Sequence, residues 1–212
     1  MIALVIGATG ATGIHLVKKL LDDDTYVEVK VFVRKRFPIQ HAKLKVFILD
    51  FNELKDYKKL INGDVLFSCL GTTLKIAGSK ENQWEIDYDI PFNFAKLAKT
   101  NGLNTMVLLS AYGASPDSSV FYSRLKGELE RDIIDLKFAK TIIFKPGSLI
   151  RENTDRLGEK LAVNFVNFLN FFGVMKKFRP LETKILAEKL AKAPKINGND
   201  VEIIVLDKIF QY

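Results

Sequence analysis

The chain has 212 residues, 48% hydrophobic and 27% charged, which is enough apolar material for one packed domain and too much for a disordered chain. Its net charge of +7 divides into +3 over residues 1–100 (15 Lys and Arg against 12 Asp and Glu) and +4 over the rest (17 against 13). This even, lysine-rich spread lacks the basic stripe of a nucleic-acid binder. A single cysteine, Cys69, excludes an internal disulfide and a cysteine-based metal site. With no run of about eighteen apolar residues and no leader-like start, the expectation is a cytoplasmic protein without stable membrane insertion.

Ile2–Ile6, a short branched run ending at glycine, predicts a strand buried on both faces. Ile14, Val17, Leu20 and Leu21 then recur at helical spacing. Residues 27–33 alternate as a second strand, 44–49 form a third, 52–61 have a helical pattern and 65–70 a fourth strand. Residues 84–100 predict a long amphipathic helix closed by Asn101-Gly102. A strand at Thr105–Leu109, a helix over 120–136 and a strand at 141–144 follow, stopped by Pro146-Gly147. Beyond residue 150, two helical stretches (155–173 and 181–193) precede a last strand at 201–206. Strand alternating with helix at this pitch predicts an α/β fold: a doubly wound parallel sheet with helices on both faces. Residues 1–212 read as one domain, in which 151–212 partly form a small helical cap over the sheet edge, on the substrate side.

The first strand runs into Gly7-Ala8-Thr9-Gly10-Ala11-Thr12-Gly13, with glycines at i, i+3 and i+6 directly before a helix. Such a turn brings backbone close to a pyrophosphate and aims the helix N-terminus at it. After the second strand stand Arg34-Lys35-Arg36, where an NAD site usually carries an acidic residue for the ribose hydroxyl. Guanidinium and ammonium groups there suit a 2′-phosphate, so NADP(H) is favoured over NAD(H). Asp50, ending the third strand, has two readings: acceptor for the adenine amino group, or cap of the next helix.

Tyr122 and Lys126 lie four apart in a predicted helix and therefore share a face. A neighbouring ammonium favours phenolate, which lets a phenol exchange a proton with a carbonyl or alcohol. The spacing alone is cheap in a chain with 25 lysines: Tyr26 and Lys30 repeat it on a strand, where four steps span about 13 Å. Helical context distinguishes the Tyr122 pair.

Gly7/Gly10/Gly13, Arg34, Asp50, Leu70-Gly71-Thr72-Thr73, Leu109-Ser110, Tyr122/Lys126-Gly127-Glu128 and Pro146-Gly147 occur in an order that resembles the atypical short-chain dehydrogenases/reductases that bind NAD(P)H, nearest the HIV Tat-interacting oxidoreductase group. The resemblance runs from residue 2 to about 190. It implies a Rossmann sheet with NADP(H) over residues 7–13 and its 2′-phosphate near Arg34. By the same resemblance, Leu70, Gly71 and Thr72 pass beneath the adenosine half, Pro146 and Gly147 flank the nicotinamide, Tyr122 is the acid/base and Lys126 its partner. Two departures stand out. Ser110, twelve residues before Tyr122 and placed to polarise a substrate oxygen, is followed by Ala111 where many relatives have a second serine, and Ser115, Ser118 and Ser119 are its rivals. Asp87 occupies a position where many extended members keep asparagine, which leaves its support of Lys126 in question. The chain is also short beside sugar-nucleotide epimerases, which argues against a nucleotide-sugar substrate.

His15 and His41 lack partners at metal spacing, so no metal is expected. Cys69 reads as a small buried hydrophobe, with redox sensitivity as the alternative. Leu161, Phe165, Phe168, Leu169 and Phe172 form a helical stripe, read as core packing, a lipophilic substrate wall or a dimer face. The reading as a whole is an NADP-dependent oxidoreductase acting on a carbonyl or alcohol of a small molecule. The alternative is a non-catalytic NADP(H)-sensing regulator with a protein partner.

Overall fold

A computed structural model describes residues 1–150, 179–198 and 200–212. The helix expected over 155–173, with its stripe from Leu161 to Phe172, lies outside the described residues.

Nine described strands form two sheets: β1 (Ile2–Ile6), β2 (Glu28–Val33), β3 (Leu44–Ile48), β4 (Val65–Ser68), β5 (Thr105–Leu109), β6 (Lys140–Lys145), β7 (Leu149–Ile150), β8 (Leu181–Glu182) and β9 (Val201–Val205). Seven of them make the central sheet in the order β3-β2-β1-β4-β5-β6-β9, while β7 and β8 pair separately. Every described pairing is parallel. The chain moves to one edge after β1 and to the other after β4. The carboxyl ends of these adjacent strands therefore carry connections that leave in opposite directions, opening a crevice between them.

Alternation along the strands sorts the core into two layers. Ala3, Val5, Val29, Val31 and Phe67 face helix α1 (Ala11–Leu21) and a C-terminal helix over Thr183–Lys192. Leu4, Ile6, Phe32, Leu66 and Met106 face Phe94 of the helix Ile90–Thr100 and Leu129 and Ile133 of the helix Phe121–Asp135. Each such side chain contributes about 1.5–3 kcal/mol on full burial. Numbering the helices in chain order gives α2 (Leu74–Ala77), α3 (Lys80–Trp84), α4 (Ile90–Thr100), α5 (Phe121–Asp135), α6 (Thr183–Lys192) and α7 (Lys208–Gln211).

Three expectations are corrected. The helix expected over 84–100 begins at Lys80 and passes through a π-helical turn at Glu85–Asp89, which buries Asp87. The helical pattern at 52–61 is a 3₁₀ helix at Phe51–Leu60. The first two residues of the stretch 181–193 are the strand β8, so α6 starts at Thr183. The described part of the C-terminal segment also joins the main sheet. Its strand β9 extends the central sheet beside β6, and α6 packs beside α1, where Lys19 and Glu188 lie 4.0 Å apart. Tyr26 ties that layer down by donating from its hydroxyl to the Ala191 carbonyl at 2.8 Å. No described helix is long and apolar enough to cross a membrane.

Candidate functional site

The glycine turn fills the crevice at the end of β1. Gly7 has φ +78°, and a Cβ there would lie 2.4 Å from the Cys69 carbonyl carbon. A Cβ at Gly13 would lie 2.1 Å from the Gly7 carbonyl oxygen, so α1 rests directly on the turn. Gly10 donates its N–H to Gly7 O at 3.0 Å. Helix α1 starts after Gly10 with no side-chain cap and no acidic residue in its first turn. Thr9, Gly10 and Ala11 are exposed above it, whereas Ala8, Thr12 and Gly13 are buried. An exposed run of residues at an uncapped helix start could receive an anionic group.

The turn after β4 forms the opposite wall. Lys126 Nζ donates to the Leu70 carbonyl at 3.3 Å, Thr72 N donates to Asp87 Oδ1 at 2.7 Å, and Gln83 Nε2 donates to the Thr72 carbonyl at 3.4 Å. A Cβ at Gly71 would meet nothing within 4 Å, so the space beside this turn is open. Arg34, Lys35 and Arg36 are exposed at the end of β2, the strand adjoining β1. Asp50 caps the helix that follows, accepting from Asn52 N at 2.9 Å through Oδ1. The buried Pro146 accepts from Tyr112 N at 2.8 Å through its carbonyl, and Gly147 next to it is exposed.

Helix α5 carries the titratable groups. Tyr122 is 38% exposed at its first turn, and Lys126, one turn on, is 2% exposed. Asp87 Oδ2 stands 3.9 Å from Lys126 Nζ, so the aspartate does approach this lysine despite replacing an asparagine. That oxygen and Ser68 Oγ are buried without a hydrogen bond among the described residues. Burial holds the Lys126 ammonium below its ordinary range, against the pull of Asp87 and Glu130. Burial likewise pushes the Asp87 carboxyl up, against Lys126 and the Thr72 N–H.

Ser110, buried at the end of β5, donates its hydroxyl to Glu130 Oε1, and Glu130 Oε2 accepts from Lys145 Nζ at 2.7 Å. The serine expected to polarise a substrate oxygen is thus hydrogen-bonded to a carboxylate of the protein. Glu130 and Lys145 were missed by sequence reasoning. The signal for Glu130 was available, since Tyr122, Lys126 and Glu130 continue one i+4 row. Two of the rival serines make contacts within the loop: Ser115 Oγ accepts from Asp117 N at 3.4 Å and Ser118 Oγ from Val120 N at 3.2 Å.

Other singled-out residues lie elsewhere in function. Lys30 binds the Asn62 side chain at 2.7 Å, in a different environment from Tyr26. His41 Nδ1 accepts from Lys43 N at 3.1 Å. Among the described residues no group of three His, Cys, Asp or Glu could hold a metal. Burial pushes the Cys69 thiol up to about 12, which leaves little reactive thiolate.

Residues 7–147 match a family model described as NAD(P)H-binding. Protein FMP52, mitochondrial, of Eremothecium gossypii is 37% identical over 152 residues, covering 72% of this chain and 68% of that protein. Protein HTATIP2 of Rattus norvegicus is 34% identical over 170 residues, covering 78% and 70%. A solved structure of UDP-glucose 4-epimerase from Thermotoga maritima aligns with a TM-score of 0.72 over 96% of this chain and 76% of its own; at 14% identity it is a likeness of fold alone. The expectation of a cytoplasmic location is overturned, because FMP52 relatives between 32% and 40% identical are named mitochondrial. A single cysteine excludes a disulfide framework but does not distinguish among compartments that keep thiols reduced.

Proposed function

This chain belongs to the NAD(P)H-binding family of oxidoreductase-like proteins, and from that premise we propose that it is an NADP(H)-dependent oxidoreductase interconverting a carbonyl and an alcohol of a small molecule. One chain of contacts carries the reading. Gly7 backs onto Cys69, Leu70 accepts from Lys126, and Lys126 lies one helical turn from Tyr122. The anion cradle and the proton-handling helix are thereby tied to the same turn.

In this reading residues 7–13 hold the diphosphate, and Arg34 and Lys35 grip the 2′-phosphate. Leu70, Gly71 and Thr72 underlie the adenosine half, while Pro146 and Gly147 border the nicotinamide. The bound coenzyme supplies or accepts the hydride. Tyr122 gives or takes the proton at the substrate oxygen, and the Lys126 charge favours its phenolate. Leu74, Ile76 and Val120, exposed on the connections after β4 and β5, favour an apolar substrate body over a nucleotide sugar.

NADPH consumption against a panel of apolar aldehydes and ketones tests the proposal. Turnover that depends on Tyr122 supports it. Coenzyme binding without turnover across the panel supports the sensing role instead.

A further inference from the structure

We infer that Leu206 is a positioning residue of the coenzyme site: held in a left-handed backbone conformation at the carboxyl end of β9, its side chain braces Gly147 and fixes the turn proposed to border the nicotinamide. The inference rests on the coenzyme reading for what that turn meets, and on the described residues for the brace.

Leu206 has φ +52°, a region that a bulky residue enters only against steric resistance. Among the described residues one other non-glycine shares it, Lys137 at φ +55°. Lys137 follows the C-terminal end of α5, where such a conformation is an ordinary helix stop. Leu206 stands instead between a strand and a helix. Its N–H donates to the Lys145 carbonyl at 3.1 Å, directly after the last register pair of β6 and β9, Lys145 with Val205. Its carbonyl accepts from Ile209 N at 3.2 Å, and Ile209 is a fully buried residue of α7. The sheet on one side and an anchored helix on the other thus hold the strained residue in place.

Because β6 and β9 run parallel, this junction lies at the carboxyl edge of the sheet, which also carries the glycine turn, and it adjoins Pro146-Gly147. A Cβ at Gly147 would stand 3.2 Å from Leu206 Cδ2 and, its chain neighbours aside, would meet no other atom within 4 Å. Gly147 lies outside the left-handed region, so its missing side chain answers to Leu206 and not to backbone geometry. Tyr112 N holds the Pro146 carbonyl at 2.8 Å, so the turn is fixed by a hydrogen bond from the β5–α5 connection and by a leucine from the end of β9. Gly147 itself remains exposed, which leaves the braced turn open to a ligand. A strained residue locked by its surroundings beside a candidate site is the pattern of preorganisation.

Calorimetry on the whole chain reads the role without a substrate. The two probes are NADPH and adenosine 2′,5′-bisphosphate, which keeps the adenosine half and its 2′-phosphate but has no nicotinamide. Leu206→Gly leaves the backbone conformation accessible and removes the brace. It is expected to raise the NADPH Kd about tenfold, the scale of one lost apolar contact in a pocket, while the bisphosphate Kd holds. Weakening of both probes alike, or of neither, overturns the inference and leaves the coenzyme reading standing. Gly147→Ala approaches the contact from the other side and should likewise weaken NADPH and spare the bisphosphate; unchanged NADPH affinity overturns the inference. In the double variant the added methyl takes the room that the leucine vacates, so much of the NADPH affinity returns. Single losses that multiply to within about twofold would make the two residues independent and overturn the brace. A wild-type chain that binds neither probe overturns the coenzyme reading, and the inference with it.

Discussion

Lys126 Nζ and Asp87 Oδ2 face each other at 3.9 Å in the interior, between helix α5 and the π-helical turn that precedes α4. Burial moves both groups toward their neutral forms. A carboxyl whose folded pKa is raised loses stability as pH climbs from its unfolded value of 3.8, because the folded state holds the proton longer. A lysine whose folded pKa is lowered has the opposite slope: stability rises as pH climbs toward 10.5, because the folded state gives up its proton first. Asp87→Asn removes the first slope. Its unfolding free energy in urea should match the wild type at acid pH and gain on it as pH rises toward neutrality. A variant that loses ground over that interval would mean that Lys126 holds Asp87 ionised.

Tyr122→Phe deletes the phenol proton and leaves the cradle untouched. Turnover should fall about 100- to 10,000-fold, the range for removing a general acid/base, while NADPH affinity holds. Retained turnover would remove Tyr122 from the chemistry.

Arg34→Glu places a carboxylate where the 2′-phosphate is proposed to lie. NADPH affinity should fall about 10- to 100-fold, the scale of one or two charge-assisted hydrogen bonds, while NADH affinity changes little. Equal losses for the two coenzymes, measured by calorimetry, would remove the phosphate role.

The strands and the glycine turn were legible because they are encoded locally. Ile2–Ile6 and Thr105–Leu109 are apolar runs bounded by breakers, and both appear where the pattern places them. The π-helical turn at Glu85–Asp89 was not legible, since one extra residue in a turn leaves the apolar spacing on either side intact. The strand at the C-terminus was visible but its place was not, because pairing with β6 is a choice between distant segments that no local pattern records. Of the Ser110–Glu130–Lys145 cluster only Glu130 had a local signal, the i+4 row it shares with Tyr122 and Lys126; its meeting with Ser110 and Lys145, 20 and 15 residues away, is made by tertiary packing.

Two glycines separate packing from binding. Gly13→Ala forces a Cβ within 2.1 Å of the Gly7 carbonyl oxygen, so the turn or α1 must shift, at a cost of about 1–3 kcal/mol or more. Gly71→Ala meets no atom within 4 Å, so stability should change by less than about 0.5 kcal/mol. If the 70–72 turn lies under the coenzyme, the same methyl weakens NADPH binding. Thermal unfolding with and without NADPH checks both halves, and a Gly71→Ala variant with unaltered coenzyme stabilisation would move the adenosine half elsewhere.

The most direct measurement is thermal unfolding of the whole chain in NADP⁺ and NAD⁺, titrated side by side. Ligand linkage stabilises the folded state by about 2.7 kcal/mol when the coenzyme reaches a hundred times its Kd. A midpoint that climbs with either coenzyme, and at lower concentration with NADP⁺, is the predicted result. A midpoint that does not move with either, even at millimolar coenzyme, would contradict the account at its base, because the exposed backbone of residues 9–11 would then hold no diphosphate.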